Sequence, residues 1–272
     1  MGINLSNVTT LTIGFERTGA TGGTGVVLFD GIRLYRVAPP VVEPVDPGTN
    51  NLMAYYAFEN NTQDGSGNGY NATASGNPQY VSGPTGYGTA IELDGTGDYV
   101  ELPIGPLIST LTDCTISIWV NWSGKGGPWK RIFDLGMDTS NYIYLCPQDG
   151  FGEDMRLAIT AGEGLWSEII ASTGALATGR HYVAIVVDGS TKNVKLTLNN
   201  EAVGEMSSLY VLSDLGNTTQ IWLGRSQYPD PLFNGSLDEF RIYDRVLSAS
   251  ELLYHAGYRT EPASVEVETL QL

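Results

Sequence analysis

The sequence predicts an all-β sandwich, and three observations carry that prediction. Glycine is abundant, at 34 of 272 residues, and such an excess goes into turns rather than long helices. From residue 52 onward, short runs rich in Tyr, Ile, Val and Trp recur, several of them alternating apolar with polar positions. Clusters of Gly, Asn, Asp and Pro separate these runs, the pattern of a sandwich with frequent turns.

Taken in order, the chain opens with alternating runs at residues 10–15 and 26–35 around a Gly/Thr-rich stretch, which reads as a β-hairpin. Two strands alone bury too little surface to be stable in water, so residues 1–36 are expected to be the remnant of a preceding β-sandwich module. Residues 37–50 hold four prolines and no periodicity, which makes them a stiff, extended linker and a domain boundary. The main domain is expected over 51–258. Its strand candidates are 53–58, 90–93, 99–102, 115–122, 130–135, 142–146, 155–160, 167–171, 181–188, 193–198, 219–223 and 235–243. Within 115–122, Ile116, Ile118 and Val120 share one face and Trp119 takes the other, where it is buried only if both faces of the sheet are covered. One helix is signalled late: Ser248 with Glu251 three residues on is a capping box ahead of Leu252 and Leu253. Residues 259–272 form a Glu-rich tail.

The totals narrow the function classes. With 30 acidic and 14 basic side chains the formal charge is -16, which repels phosphate backbones and anionic lipid, so neither nucleic acid nor membrane is an expected partner. No run reaches the ~18 apolar residues of a membrane span. The opening residues lack the basic and apolar regions of a signal peptide, and the export signal is expected upstream of this fragment. Cys114 and Cys146 lie in apolar runs without zinc-type spacing and read as buried thiols, with a bridge open only if their strands are neighbours.

Residues 52–59 (LMAYYAFE), 64–69 (DGSGNG), 90–95 (AIELDG) and above all 233–248 (FNGSLDEFRIYDRVLS) resemble the laminin-G-like domains of the concanavalin-like superfamily. The runs 131–136, 156–160 and 224–231 resemble the subtype appended to bacterial glycoside hydrolases. That resemblance implies an antiparallel two-sheet jelly roll, secretion, a tethered catalytic domain that degrades polysaccharide, and commonly one bound Ca2+. Matching the motifs position by position, the calcium ligands implied are Glu59, Gly95 through its carbonyl, and Asp238; calcium takes six to eight oxygens, which turn backbones and a few carboxylates supply. The plainer reading makes Glu59 and Asp238 ordinary carboxylates and Asp64 an Asx-turn residue.

Sugar recognition needs aromatic faces and a few planar polar groups near loops. Trp129, Trp166, Tyr142, Tyr228, Arg225, Asn141 and Asp230 meet that description, with Arg225 foremost because a guanidinium holds two oxygens in one plane. Its plainer role is a salt bridge to Asp230 or Asp238. Catalytic relatives of the fold carry Glu-x-Asp-x-x-Glu on one strand, and the nearest approach here, Glu92-Leu-Asp94, lacks the third acid. An acid/base cluster of Glu168, Asp134, His181 and Arg156 on a concave sheet is the enzymatic alternative, although His181 also reads as structural. The expected function is therefore a noncatalytic carbohydrate-binding module with a structural calcium. The alternatives are a calcium-dependent hydrolase of glycans or esters, and an adhesion or structural module.

Overall fold

A computed structural model describes residues 42–257 apart from Glu163 and Trp166. The expected N-terminal hairpin, Trp166 and residues 259–272 lie outside the described residues. Two antiparallel sheets face each other. The first contains β1 (Leu52–Tyr56), β3 (Gln79–Ser82), β4 (Thr89–Asp94), β6 (Cys114–Trp122), β11 (Gly179–Asp188), β12 (Asn193–Leu198), β13 (Glu201–Ser207) and β15 (Asn234–Tyr243). The second runs β10 (Ser167–Ile170), β9 (Arg156–Ala161), β8 (Asn141–Cys146), β7 (Phe133–Asp138), β14 (Gln220–Leu223), β5 (Tyr99–Glu101) and β2 (Thr73–Ser75), each pairing with the next. The predicted sandwich is the observed one.

Period-two alternation builds it. On β6, Ile116, Ile118 and Val120 point into the space between the sheets with Leu135, Leu145, Leu157 and Leu223 from the opposite side. Phe133 on β7 meets Phe240 on β15 across that space, ring centroids 6.4 Å apart at 68°. Trp119 points the other way and is covered: it packs beside Tyr182 and Tyr87, and its indole N–H donates to the His255 carbonyl at 3.2 Å. The cover is helix α2 (Ala249–His255), capped by Ser248 and Glu251 as the capping box predicts.

Three strands escaped sequence reading, β2, β3 and β13. Each has a weak apolar pattern because β13 and β3 end the first sheet and β2 ends the second; an edge strand need bury little to stay paired. A single turn of helix, α1 (Gly105–Ile108), was also unsignalled. The linker's end is part of this unit, since the Val45 amide donates to Ser250 and the Tyr243 and Arg245 side chains donate to the carbonyls of Gly48 and Pro47. Cys114 and Cys146 are free, buried, and on different sheets.

Two placements matter for function. β1 and β4 lie end to end along the same side of β15: Tyr56 pairs with Phe240, and Ile91 with Leu237. The gap between them falls at Asp238 and Glu239, where β15 bulges and Glu239 takes a left-handed φ of 54°. On the second sheet, the face turned away from the core carries Asp134, Tyr142, Tyr144, Arg156, Ala158, Glu168 and Trp222, and the segment 224–233 crosses it.

Candidate functional site: a hollow on the outer face of the second sheet

The hollow is built around two arginines. β7 begins only at Phe133, because Trp129 adopts a left-handed φ of 64° and turns the chain before it. Arg131, 2% exposed, comes out of that turn and lies over the Tyr144 ring with its guanidinium carbon 3.9 Å from the centroid. It donates to the Trp129 carbonyl at 2.8 Å and pairs with Asp134 at 3.3 Å and Asp230 at 3.2 Å. Arg156 on β9 pairs with Asp149 at 2.6 Å and Glu168 at 2.5 Å. Burying a guanidinium is tolerated only when such partners take its donors.

Around these charges stand the aromatic walls. Trp129 and Phe151 meet edge to face at 5.1 Å, and Phe151 is 80% exposed. Tyr142 and Tyr144 line the floor from β8, and Tyr228 leans in from the 224–233 segment, its hydroxyl 3.5 Å from that of Tyr142. The space enclosed is about 530 Å³, within the range of small-molecule sites. A large apolar ring held in water at the lip of a concave site is the feature that packing alone does not explain.

The carboxylates differ in charge state. Burial pushes Asp134 up to about 7, against the pull of Arg131 and the Gln227 amide. Asp149 is also buried, yet its carboxyl is held below the usual range because the amides of Gly152 and Phe151, together with Arg156, outweigh the burial. One Asp134 oxygen has no hydrogen-bond partner among the described residues.

The oxygen cradle is a second place of interest. Asp238 accepts the Glu239 amide with one oxygen, while its other oxygen is buried and without a hydrogen-bond partner among the described residues. A β-carbon on Gly83 would stand 2.6 Å from that oxygen and 3.1 Å from the carbonyls of Tyr87 and Gly88, so several oxygens converge there. Glu59 reaches the same loop and accepts the Thr89 amide at 3.1 Å. Burial first, then Glu239 and Glu59, raise the Asp238 carboxyl to about 8. A stranded carboxylate oxygen amid carbonyls, destabilised by neighbouring negative charge, fits a hard cation such as calcium. Among the described residues no cluster of three or more acidic, His or Cys side chains forms, so backbone carbonyls must make up the donor set.

Of the residues predicted for ligand binding, the hollow gathers Trp129, Tyr142, Tyr228 and Asp230. Asn141 instead donates to the Leu215 carbonyl at one end of β8. Arg225 stands on the same outer face but outside the hollow, and it bonds neither Asp230 nor Asp238. The proposed acid/base quartet does not assemble. Asp134, Arg156 and Glu168 share a face, whereas His181 lies near the start of β11, in the other sheet, and bonds Asn199. Gly95 is likewise separated from the cradle: it follows Asp94, whereas Thr89, at the opposite end of β4, meets Glu59, six residues or roughly 20 Å away. Asp64 is the Asx-turn residue of the plainer reading, accepting the amides of Ser66 and Tyr55. Arg131, Tyr144 and Phe151 were missed; only the short spacing of Arg131 and Asp134 hinted at a buried pair.

The chain as a whole is similar to known proteins. Residues 94–253 match a laminin-G-like family model described as concanavalin A-like lectin/glucanases superfamily. Among solved structures, the chain is similar to domain 4 of AbnA, a GH43 extracellular arabinanase from Geobacillus stearothermophilus, solved in complex with arabinotriose. The two are 25% identical with a TM-score of 0.63, over 76% of this chain and 98% of that domain. The fold is also that of the binding domains of Paraclostridial Mosquitocidal Protein 1 (18% identity, TM-score 0.58) and botulinum neurotoxin serotype D (17%, 0.60). Those matches cover 76% and 77% of this chain, which spans about half the length (52%) of each. A search of curated proteins finds no significant match. With more than half its length matched by the family model, the chain belongs to the concanavalin A-like lectin/glucanase superfamily, among its laminin-G-like domains.

Proposed function

We propose that the sandwich is a noncatalytic carbohydrate-binding module of a secreted bacterial polysaccharide-degrading protein, and that it takes neutral glycan in the hollow at Trp129. The observation that carries this reading is the hollow itself, where Trp129 and Phe151 offer ring faces beside carboxylates and hydroxyls already held in place. Sugar C–H faces stack on such rings while hydroxyls bond the fixed oxygens. Both guanidinium groups are taken up by carboxylates, which suits an uncharged ligand. Likeness to an arabinanase domain that holds arabinotriose supports the same class.

Catalysis is disfavoured by the same pairing. A glycosidase needs two carboxyl groups at the scissile bond, one of them able to give up a proton. Glu168 is pinned by Arg156, and Asp134, the carboxyl with the raised proton affinity, is sealed beneath Arg131 and Gln227. Tethered to a catalytic partner, a module of this kind raises the local concentration of substrate.

Calcium belongs to the proposal as a structural ion. Glu59 and Asp238, with carbonyls of the 83–88 loop, are the groups that would hold it, and its charge would compensate two carboxylates that otherwise repel. Isothermal titration with arabinotriose tests the glycan reading: binding is expected, with Trp129→Ala weakening it at least tenfold, the scale of an aromatic hot spot worth about 2 kcal/mol. Equal affinity in the variant would remove the hollow as the site.

A further inference from the structure

The 224–233 segment divides the outer face of the second sheet, and its far side holds a group the hollow does not use. Gln227 anchors the segment on Asp134, and Asp230 anchors it on Arg131, toward the hollow. Toward β5, Arg225 lies over two rings, its guanidinium carbon 4.5 Å from the Trp222 centroid and 4.7 Å from that of Tyr99. Arg131, Arg156, Arg180, Arg241 and Arg245 each donate a hydrogen bond to the protein. Arg225 alone of the described arginines has neither a hydrogen bond nor an ion pair with the described residues. Its guanidinium lies against aromatic surface, part-exposed, and none of its N–H donors is taken up by a described residue.

The geometry points to a second subsite on this face, in which Arg225, oriented by Trp222 and Tyr99, clamps the carboxylate of an acidic sugar. A guanidinium fork and a carboxylate are planar partners that form two parallel charge-assisted bonds. Stacking pays the ordering cost of the arginine side chain in advance. The nearby acids do not fill the fork. Asp98 is engaged by the amides of Asn77 and Asp94, and Glu101, opposite Trp222 in the pairing of β14 with β5, makes no ion pair with the described residues. Glu101 on that face, and the chain's charge of -16, oppose dense polyanions, so the subsite suits a glycan with sparse carboxylates. Trp222, Asp134 and Tyr144 stand on three successive strands, about 10 Å across, so one oligosaccharide can span both places. This proposal deepens the glycan reading, but its test does not need the hollow to bind anything.

The probe is methyl glucuronoside, with methyl glucoside as the uncharged control, titrated against the whole chain while the Arg225 side-chain N–H resonance and tryptophan fluorescence are followed. The glucuronoside is expected to shift the Arg225 resonance, more weakly as salt is raised, and the glucoside to leave it unmoved. Arg225→Lys keeps the charge without the fork and is expected to weaken binding about tenfold, the worth of one charge-assisted hydrogen bond. Glu101→Gln, which leaves the fork intact, is expected to tighten it. No shift with the glucuronoside, an equal shift with both sugars, or undiminished binding in Arg225→Lys would each overturn the subsite. Arabinotriose binding lost in Trp129→Ala but kept in Arg225→Lys would show the hollow standing independently.

Discussion

Asp238 shows how much one side chain can carry. Its carboxyl sits in the gap between β1 and β4 with one oxygen stranded, and burial with two acidic neighbours lifts it from 3.8 to about 8. Between those values the folded chain keeps a proton that the unfolded chain has lost, so stability falls as pH rises through that window. Chelated protein is therefore expected to melt several degrees higher at pH 5 than at pH 8. Asp134, raised to about 7 for the same reason of burial, adds to the slope in the same direction. Asp238→Asn should flatten part of that slope. Calcium added at pH 8 should raise the wild-type melting temperature and leave Asp238→Asn unmoved; a wild type indifferent to calcium would remove the ion from the cradle. The sequence marked Glu59 and Asp238 through a motif, but nothing in it joined them to the 83–88 carbonyls. Those meet only because two strands abut on β15.

Elements differ in how openly their sequences declare them. α2 is short, and its capping box was plain: the Ser248 side chain accepts the Glu251 amide and Glu251 returns the bond. Ser248→Ala is expected to cost about 1 kcal/mol, read as a lowered denaturation midpoint; the loss should also loosen the cover over Trp119, seen as a red shift of its fluorescence. An unchanged midpoint would mean that packing of Leu252 onto the sheet, and not the cap, holds the helix. β13 sits at the opposite extreme. Glu201–Ser207 alternates too weakly to be read as a strand, and it exists because β12 offers it a ladder. The bulge at Glu239 was equally hidden, since a left-handed glutamate leaves no trace in residue type. Arg241 and Tyr55 hold that glutamate's carboxylate in place.

At the scale of the whole molecule, the two sheets are held by side chains that meet far apart in sequence. Phe133 and Phe240 are both fully buried and touch across the interior. Phe133→Ala is expected to destabilise the fold by about 3–5 kcal/mol, with the slope of denaturant unfolding unchanged; a loss under 1 kcal/mol would mean that the core refills the space. The sequence by itself determined the sandwich class, most strands and the terminal helix, because alternation, turn residues and caps act over a few residues and are written locally. It also supplied six residues of the hollow: Trp129, Tyr142, Tyr228 and Asp230 as candidate sugar contacts, and Arg156 and Glu168 as members of the acid/base alternative. Only the tertiary structure decided that Arg131 and Arg156 are paired with carboxylates while Arg225 has no such pair among the described residues, that His181 belongs to the other sheet from the acids it seemed to join, and that Gly95 is remote from the cradle. Pairing of charges depends on which strands become neighbours, and that is fixed by burial summed over the entire core, which no short stretch of sequence records.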